Sequence, residues 1–122
     1  MTHDELRQEY RFNTPLTVFI ELIAADDHQP ATIVISHCLD ISANGLRVIA
    51  DRELPQGSIL QSCIRCNQSG QQFILSTEVK WSRAYQQQGE YLTGLSLFDS
   101  ENTDIQAWKE FISIHSLKAE NE

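Results

Sequence analysis

TIVISHCLDISANGLRVIA, residues 32–50, is the stretch of sequence that decides the fold. Two runs rich in β-branched residues lie on either side of Asn44 and Gly45. An Asn-Gly pair between such runs is a strong signal for a β-hairpin, because both residues tolerate the positive φ angles of a tight turn. The stretch therefore predicts two antiparallel strands, Thr32 to Ile41 and Leu46 to Ala50.

Strand patterns continue on both sides of this hairpin. Every second residue is apolar in the segment that precedes it, at Leu16, Val18, Ile20 and Leu22. This alternation is typical of a strand with one face on a core. Turn-forming residues then separate three more β-rich segments, 58–66, 73–81 and 91–98. Six short strands without helices between them predict an all-β fold, either an antiparallel barrel or a sandwich. We favour a six-stranded antiparallel β-barrel over residues 15–100, because closing the sheet removes its exposed edges.

The pattern changes after the sixth strand. Apolar residues and a histidine recur every three or four positions, at Ile105, Trp108, Phe111, Ile112 and His115. Such a stripe indicates an amphipathic helix, which we expect to pack on the barrel over residues 101–117. Asn102 and Thr103 are candidate N-caps. Residues 1–14 are predicted to form a flexible N-terminal arm and 118–122 a disordered tail of the same single domain.

Charge and composition exclude several classes of protein. The chain has 122 residues, with 9 Lys plus Arg against 17 Asp plus Glu and a formal net charge of −8. This acidic balance disfavours DNA or RNA as a partner, because nucleic-acid binding needs a basic surface. No apolar run is long enough to span a membrane or to act as a secretory signal, so we expect no membrane insertion. Three cysteines make no disulfide framework, which fits a reducing cytoplasm.

Catalytic and metal-binding patterns are weak in this sequence. Cys63 and Cys66 form a C-x-x-C pair, but an odd separation on a strand sends the two side chains to opposite faces. The four histidines are scattered, and no nucleophile stands at motif spacing from a base. We therefore expect no catalytic residues, no metal and no cofactor. Trp81 is expected to pack in the core or at the rim of the barrel rather than to contact a ligand.

Two short motifs carry the functional hypothesis. The first is Arg7 and Arg11, four residues apart in the predicted arm. The second is Asp40, Ser42 and Gly45, at the end of the second strand and through its hairpin. Alternation along this strand places Asp40 and Ser42 on the face opposite the presumed core residues, which are Ile33, Ile35, Leu39 and Ile41. Both polar side chains are then expected to face outward, where a ligand can lie.

In this order on a small β-barrel, the motifs resemble those of the PilZ domain, a bacterial receptor for cyclic di-GMP. The family signature is RxxxR in an N-terminal arm followed by [D/N]xSxxG, and this sequence matches both without departure. Less specific similarity continues through Val79 to Trp81 and Gly94 to Phe98. The resemblance implies cyclic di-GMP as ligand, no enzymatic activity, and a separate effector protein that controls motility, biofilm formation or pili.

The chemistry of the candidate residues fits such a ligand. Arginine at 7 and 11 can pair bidentately with guanine or phosphate. The carboxylate of Asp40 can accept from guanine N1–H and N2–H, while the Ser42 hydroxyl can bond to phosphate or base. Gly45 is expected to supply a positive φ and a close approach of backbone to ligand. Further candidate contacts are Leu6, Gln8, Asn44 and Arg47, and an apolar Leu6 favours one nucleotide per protomer.

These observations predict a receptor whose arm becomes ordered on binding the dinucleotide. The main alternative is an interaction adaptor of the same fold that binds no nucleotide. A barrel that binds single-stranded nucleic acid would normally have a basic groove with interleaved aromatic residues, which the net charge of −8 argues against. An enzyme is the weakest alternative, because no nucleophile–base pair presents itself.

Overall fold

The computed structural model describes residues 15–22, 32–41 and 44–121, with side chains as far as residue 114. Six strands precede one helix in these ranges. The strands are β1 (Leu16–Leu22), β2 (Thr32–Ile41), β3 (Gly45–Ala50), β4 (Ile59–Cys66), β5 (Gln72–Ala84) and β6 (Tyr91–Phe98), and the helix is α1 (Ile105–Asn121). The predicted strand ranges agree closely with these bounds, except that β5 continues three residues past Trp81.

The six strands form a closed barrel in the order β1-β2-β3-β6-β5-β4. All neighbouring strands are antiparallel, and β1 closes the barrel by pairing with β4 from Leu16 opposite Cys66 to Ile20 opposite Ser62. Closure gives each of these six strands a partner on both sides, which removes the main route to edge-to-edge aggregation. The predicted six-stranded antiparallel barrel is confirmed.

Inward-facing side chains at alternate strand positions fill the barrel. Burial is complete or nearly so for this set, which includes Val18, Ile20, Val34, Val48, Ile64, Leu75 and Val79. Hydroxyl side chains are also buried in the barrel, and Ser62 Oγ lies 3.0 Å from Thr77 Oγ1. Thr77 also donates to the backbone oxygen of Leu60 at 2.9 Å. These hydrogen bonds offset the cost of burying polar groups in an apolar interior.

A β-bulge in β2 changes which of its residues face the core. Cys38 pairs with Val48, but Asp40 pairs with Arg47, so one extra residue, Leu39, is inserted in β2. Before the bulge the buried positions are therefore the even-numbered ones. Our prediction that Ile33 and Ile35 face the core is wrong, because their side chains are 51% and 64% exposed.

Beyond this bulge, the predicted side assignment agrees with the structure. Ile41 is 2% exposed and belongs to the core, whereas Leu39, also predicted to face the core, is 39% exposed. Asp40 pairs with Arg47 on β3, whose neighbours Leu46 and Val48 are the buried residues, so Asp40 lies on the outer face of the barrel. The bulge thus places a carboxylate on the outside of a strand whose earlier even-numbered residues point inward.

A second bulge lies in β5. Val79 pairs with Leu95, but Trp81 pairs with Gly94, so Lys80 is the inserted residue. Val79 is fully buried, and simple alternation from it would send Trp81 into the core as well. The bulge instead turns Trp81 to the outer face of the barrel, where it is half-buried.

The helix α1 packs through its apolar stripe. Ring centroids of Phe73 on β5 and Trp108 on α1 lie 5.3 Å apart in an edge-to-face arrangement, and Phe111 lies 5.1 Å from Phe73. Trp108 is fully buried, and its indole N–H has no hydrogen-bond partner within the described part of the chain. Among those same residues, no helix has the length and apolar character that crossing a membrane requires.

The boundaries of α1 differ from the predicted ones. The helix begins at Ile105 rather than 101, and it continues to Asn121 through the segment expected to be a disordered tail. The N-cap position is occupied by Asp104 instead of Asn102 or Thr103, and its backbone oxygen accepts from Trp108 N at 2.9 Å. Asp104 Oδ2 also accepts from the backbone N–H of Ile74 at 2.7 Å, which attaches the start of the helix to β5.

Candidate functional site

Four residues form a row across the outer surface of the barrel. The strand register pairs Asp40 on β2 with Arg47 on β3, Arg47 with Gly94 on β6, and Gly94 with Trp81 on β5. Residues paired in this way share a face of the sheet and lie about 4.5–5.5 Å from their neighbours. The two bulges described above are what bring the charged pair and the indole onto one face.

Asp40 and Arg47 are joined by a bidentate ion pair. Arg47 Nε donates to Asp40 Oδ1 at 2.9 Å and to Oδ2 at 3.1 Å, and Nη2 also donates to Oδ2. The Asp40 side chain is only 2% exposed, whereas that of Arg47 is 36% exposed. A buried carboxylate needs a partner of this kind, because an unpaired buried charge is strongly destabilising. The surface at this point therefore presents the guanidinium group rather than the carboxylate.

Gly45 is required by space rather than by a positive φ. It is the first residue of β3, and its φ lies outside the left-handed region, so the predicted positive φ is wrong. A Cβ at this position would lie 2.6 Å from the backbone oxygen of Leu95 on β6. Because real Cβ atoms do not approach a backbone oxygen so closely, any larger residue here would push β3 away from β6.

The indole of Trp81 packs against Gly94. A Cβ on Gly94 would lie 2.5 Å from Trp81 Cε2, so the ring packs directly against the glycine. The guanidinium carbon of Arg83 lies 4.7 Å from the centroid of the Trp81 ring, at cation–π distance. The indole is thus held in a defined position on the barrel surface.

The row borders an open groove of about 260 Å³. Gly45, Lys80 and Leu95 line it together with Asp40, Arg47, Gly94 and Trp81. Lys80 is half-exposed, with its Nζ 3.6 Å from Glu78 Oε1. A second cavity, about 330 Å³, is lined by Trp81 together with residues 53–56 and Ser82. Trp81 is therefore a shared wall of both.

The sequence-predicted site residues fall into two groups. Asp40 and Gly45 of the DxSxxG motif line one groove together with Arg47, which the sequence offered only as a further candidate contact. Asn44 is exposed directly before β3, and its backbone oxygen accepts from Leu97 N at 2.9 Å. The remaining predicted residues, Leu6, Arg7, Gln8, Arg11 and Ser42, lie outside the described residues.

The sequence predicts that Trp81 packs in the core or at the rim of the barrel, and it indicates no role for Lys80 or Arg83. The only signal for Trp81 and Arg83 is their spacing, since two residues that are two apart on a strand share a face. The bulge at Lys80, which decides that this face is the outer one, has no mark in the sequence.

The cysteines supply no second site. Cys63 is half-buried on the outer face of β4 and Cys66 is buried on its inner face, as their odd separation predicted. The described residues contain no group of His, Cys, Asp and Glu able to hold a metal ion. Cys38 donates its S–H to the backbone oxygen of Asp40 at 3.4 Å. Burial, helped by the charge of Asp40, raises the pKa of this thiol to about 12, so it stays neutral.

A six-stranded closed barrel with a groove beside the hairpin that follows Asp40 is the architecture of a small β-barrel domain. The family model described as "PilZ domain" matches residues 5–113. The chain therefore belongs to the PilZ domain family, whose members are receptor and adaptor domains for cyclic di-GMP. The resemblance found in the sequence is confirmed.

Among solved structures, the chain is similar to the Bacillus subtilis inhibitor of motility MotI/DgrA, with a TM-score of 0.65 and 21% sequence identity. The match covers 92% of this chain and 52% of that one, so the chain spans about half the length of MotI/DgrA. At this identity the likeness concerns the fold. No curated protein matches the chain at a significant level.

Proposed function

We propose that this protein is a receptor for cyclic di-GMP that binds the dinucleotide in the groove beside Asp40 and Arg47 and relays the signal to a separate effector protein. The observation that carries the proposal is the bidentate Asp40–Arg47 pair at the groove. The pair lies at the start of the hairpin whose sequence matches the family's second binding motif, [D/N]xSxxG. The PilZ match over residues 5–113 also includes Arg7 and Arg11, the two arginines of the first motif, RxxxR.

The groove and the two sequence motifs together offer a partner for each part of a guanine dinucleotide. The Asp40–Arg47 pair provides directional hydrogen bonding for a base, and the half-buried indole of Trp81 provides a face on which a base can stack. Gly45 keeps the wall of the groove free of side-chain atoms, since β3 and β6 are already in contact there. Arg7 and Arg11 supply bidentate cations for the phosphates, and Ser42 supplies a further hydroxyl.

Binding is proposed to order the N-terminal arm. The arginines of the arm lie among acidic residues, Asp4, Glu5 and Glu9, and the whole chain has a net charge of −8. Without an anion, docking of this arm on the acidic barrel gains little free energy. A dianionic ligand can bind the arginines of the arm and the barrel together, and so attach one to the other. The ordered arm and the exposed side of α1 then form the surface that an effector recognises. Because MotI/DgrA is an inhibitor of motility, a component of the motility machinery is the first effector to test.

Isothermal titration calorimetry of the complete chain with cyclic di-GMP, cyclic di-AMP and GTP tests this proposal. We expect selective binding of cyclic di-GMP and a loss of about 10- to 100-fold in affinity for Arg7→Ala, because a charge-assisted hydrogen bond contributes about 1.5–3 kcal/mol. Arg52→Ala is the matched control, since Arg52 is exposed beside Asp51 and does not line the groove. It should bind like the wild type.

The same titration separates the proposal from its alternative. Absence of heat with cyclic di-GMP at high concentration would contradict the receptor proposal and favour the alternative, an adaptor of the same fold that binds no nucleotide. Equal binding of all three nucleotides would also contradict the proposal. Arm ordering is tested by amide hydrogen exchange of residues 1–14, which should slow on addition of cyclic di-GMP. Unchanged exchange in the presence of saturating nucleotide would eliminate the ordering step while leaving binding intact.

A further inference from the structure

The outer surface of β2, β1 and β4 has an exposed apolar centre. Strand register places Ile35 on β2 beside Phe19 on β1, and Phe19 beside Cys63 on β4. Ile35 is 64% exposed, and Ile33, which lies on the same face of β2, is 51% exposed. Phe19 and Cys63 are half-buried. We call this surface the β1 face, because β1 lies in its middle, and such a cluster of exposed apolar side chains is typical of an interaction site.

The β1 face lies on the side of the barrel opposite the groove. In the barrel order β1-β2-β3-β6-β5-β4, β1 is three strands from β6, and β4 is three strands from β3. Residues of β3 and β6 line the middle of the groove. A partner that packs on the β1 face therefore leaves the groove open, and its binding does not require a nucleotide.

Charged side chains lie at the two ends of the β1 face. At one end, Thr17 on β1 has His37 of β2 on one side and Arg65 of β4 on the other. At the opposite end, Glu21 on β1 lies beside Ile33 on β2. Neither Arg65 nor Glu21 forms an ion pair with another residue in the described part of the chain. The face therefore has a basic end, an apolar middle and an acidic end.

This arrangement of charges is complementary to itself across a twofold axis. We infer that two copies of this chain form a dimer by packing their β1 faces together. With the axis along the row that Phe19 shares with Ile35 and Cys63, this row faces its own copy. Each Glu21 then lies opposite the end that carries the partner's Arg65. An axis parallel to the strands places Glu21 against the partner's Glu21, so charge selects the first axis.

The size of the β1 face indicates a weak dimer. The face is three strands wide, with strands about 4.8 Å apart, and residues 17–21 of β1 cover about 13 Å along the strand. A surface of this extent belongs to the small end of specific interfaces, for which we expect a Kd of about 10–100 μM. Each chain has a net charge of −8, and salt at about 0.15 M screens the repulsion between two chains beyond about 8 Å.

Sedimentation velocity of the complete chain over about 5–500 μM in this salt measures the association. We expect a monomer–dimer equilibrium in the wild type. Ile35→Lys should weaken it by at least about tenfold, because the two lysines meet near the axis without a partner. Ile114→Lys is the matched control, since Ile114 is 54% exposed but lies on α1, outside the β1 face. It should associate like the wild type.

Exchange of charges tests the twofold packing itself. Glu21→Lys alone and Arg65→Glu alone should each associate about tenfold more weakly than the wild type, because like charges then meet twice in the dimer. In an equimolar mixture of the two variants, both contacts of the mixed dimer join opposite charges. The mixture should therefore recover the wild-type association within about threefold. Thermal unfolding of each variant checks that the barrel is folded.

Three outcomes would overturn the inference. A wild type that stays monomeric at the highest concentration has no dimer interface on this face, which would leave it to a different protein. A dimer that Ile35→Lys does not weaken forms through another surface. A mixture of the charge variants that associates as weakly as each variant alone would exclude the twofold pairing of Glu21 with the partner's Arg65.

Discussion

Gly45 and Gly94 show how the space around a single Cα atom determines the shape of the groove. Each is opposed by atoms that leave no room for a Cβ, the backbone oxygen of Leu95 for one and the indole of Trp81 for the other. The consequences of substitution differ, because a side chain can move and a paired backbone cannot. Gly94 therefore sets the position of Trp81, whereas Gly45 sets the distance between β3 and β6.

Gly45→Ala is expected to destabilise the protein by about 1–3 kcal/mol, the usual cost of overpacking a site that cannot relax. Urea unfolding followed by circular dichroism measures this loss. The backbone amide signals of Leu95 and Ser96 should also shift in NMR spectra, because the new Cβ pushes against this part of β6.

Gly70→Ala is the matched control for this prediction. Gly70 has a positive φ of 80° but no atom within 4 Å of its added Cβ, so its substitution strains one turn and leaves the groove unchanged. Wild-type stability of Gly45→Ala would contradict the prediction, because it would show that β3 and β6 accommodate the added Cβ without cost.

At the scale of whole elements, the sequence predicted the six strands but not the two bulges in β2 and β5. Turn residues and alternation were enough to place all six strands within a few residues. A bulge adds one residue without a characteristic sequence, so the face of β2 before Leu39 was assigned wrongly. The same cause left open whether Trp81 lies in the core or at the rim, since the inserted Lys80 reverses the alternation that starts from Val79.

The candidate site was predictable to the extent that it follows a linear pattern. The hairpin motif located Asp40 and Gly45 at the groove, because residues close in sequence at a turn stay close in space. The pairing of Asp40 with Arg47, and the approach of Trp81 from β5, depend on strand register across the barrel. The register at a bulge depends on how the complete barrel packs, so it cannot be predicted from the sequence of one strand.

Asp104 links the helix to the barrel and supports a prediction at this scale. Its Oδ2 accepts from Ile74 N at 2.7 Å, and its own backbone N–H donates to Ile74 O at 2.8 Å. Both backbone polar groups of Ile74 on β5 are therefore hydrogen-bonded to this one residue. Asp104→Ala should lower the free energy of unfolding by about 0.5–1.5 kcal/mol, the net contribution of one hydrogen bond, measured in urea.

Asp104→Asn is the matched control, because the amide oxygen still accepts from Ile74. It should recover most of the stability that the alanine variant loses. Equal loss in the two variants would mean that the charge of Asp104, rather than its hydrogen bond, holds the start of the helix.

For the molecule as a whole, closure of the barrel is expected to protect the backbone amides of all six strands from hydrogen exchange to a similar degree. β1 pairs with β2 on one side and with β4 on the other, so a strand that would be an edge in an open sheet has hydrogen-bonding partners on both sides. Hydrogen exchange followed by NMR should therefore find protection of Val18, Phe19 and Ile20 comparable to that of β3 and β6.

The contrary result is easily recognised. If β1 amides at every second position exchange rapidly while those between them stay protected, then the seam between β1 and β4 is open in solution. Exchange measured for β2 in the same experiment serves as the internal reference, since its pairing with β3 does not depend on closure.

The outward position of Trp81 has an optical consequence. The chain has two tryptophans, and they occupy opposite environments: Trp108 is fully buried between the helix and the barrel, and Trp81 is half-exposed at the groove. A quencher dissolved in the solvent collides with the second indole and not with the first. The red-shifted, quenchable part of the fluorescence therefore reports on the groove, and the blue-shifted part reports on the packing of the helix, in one unlabelled sample.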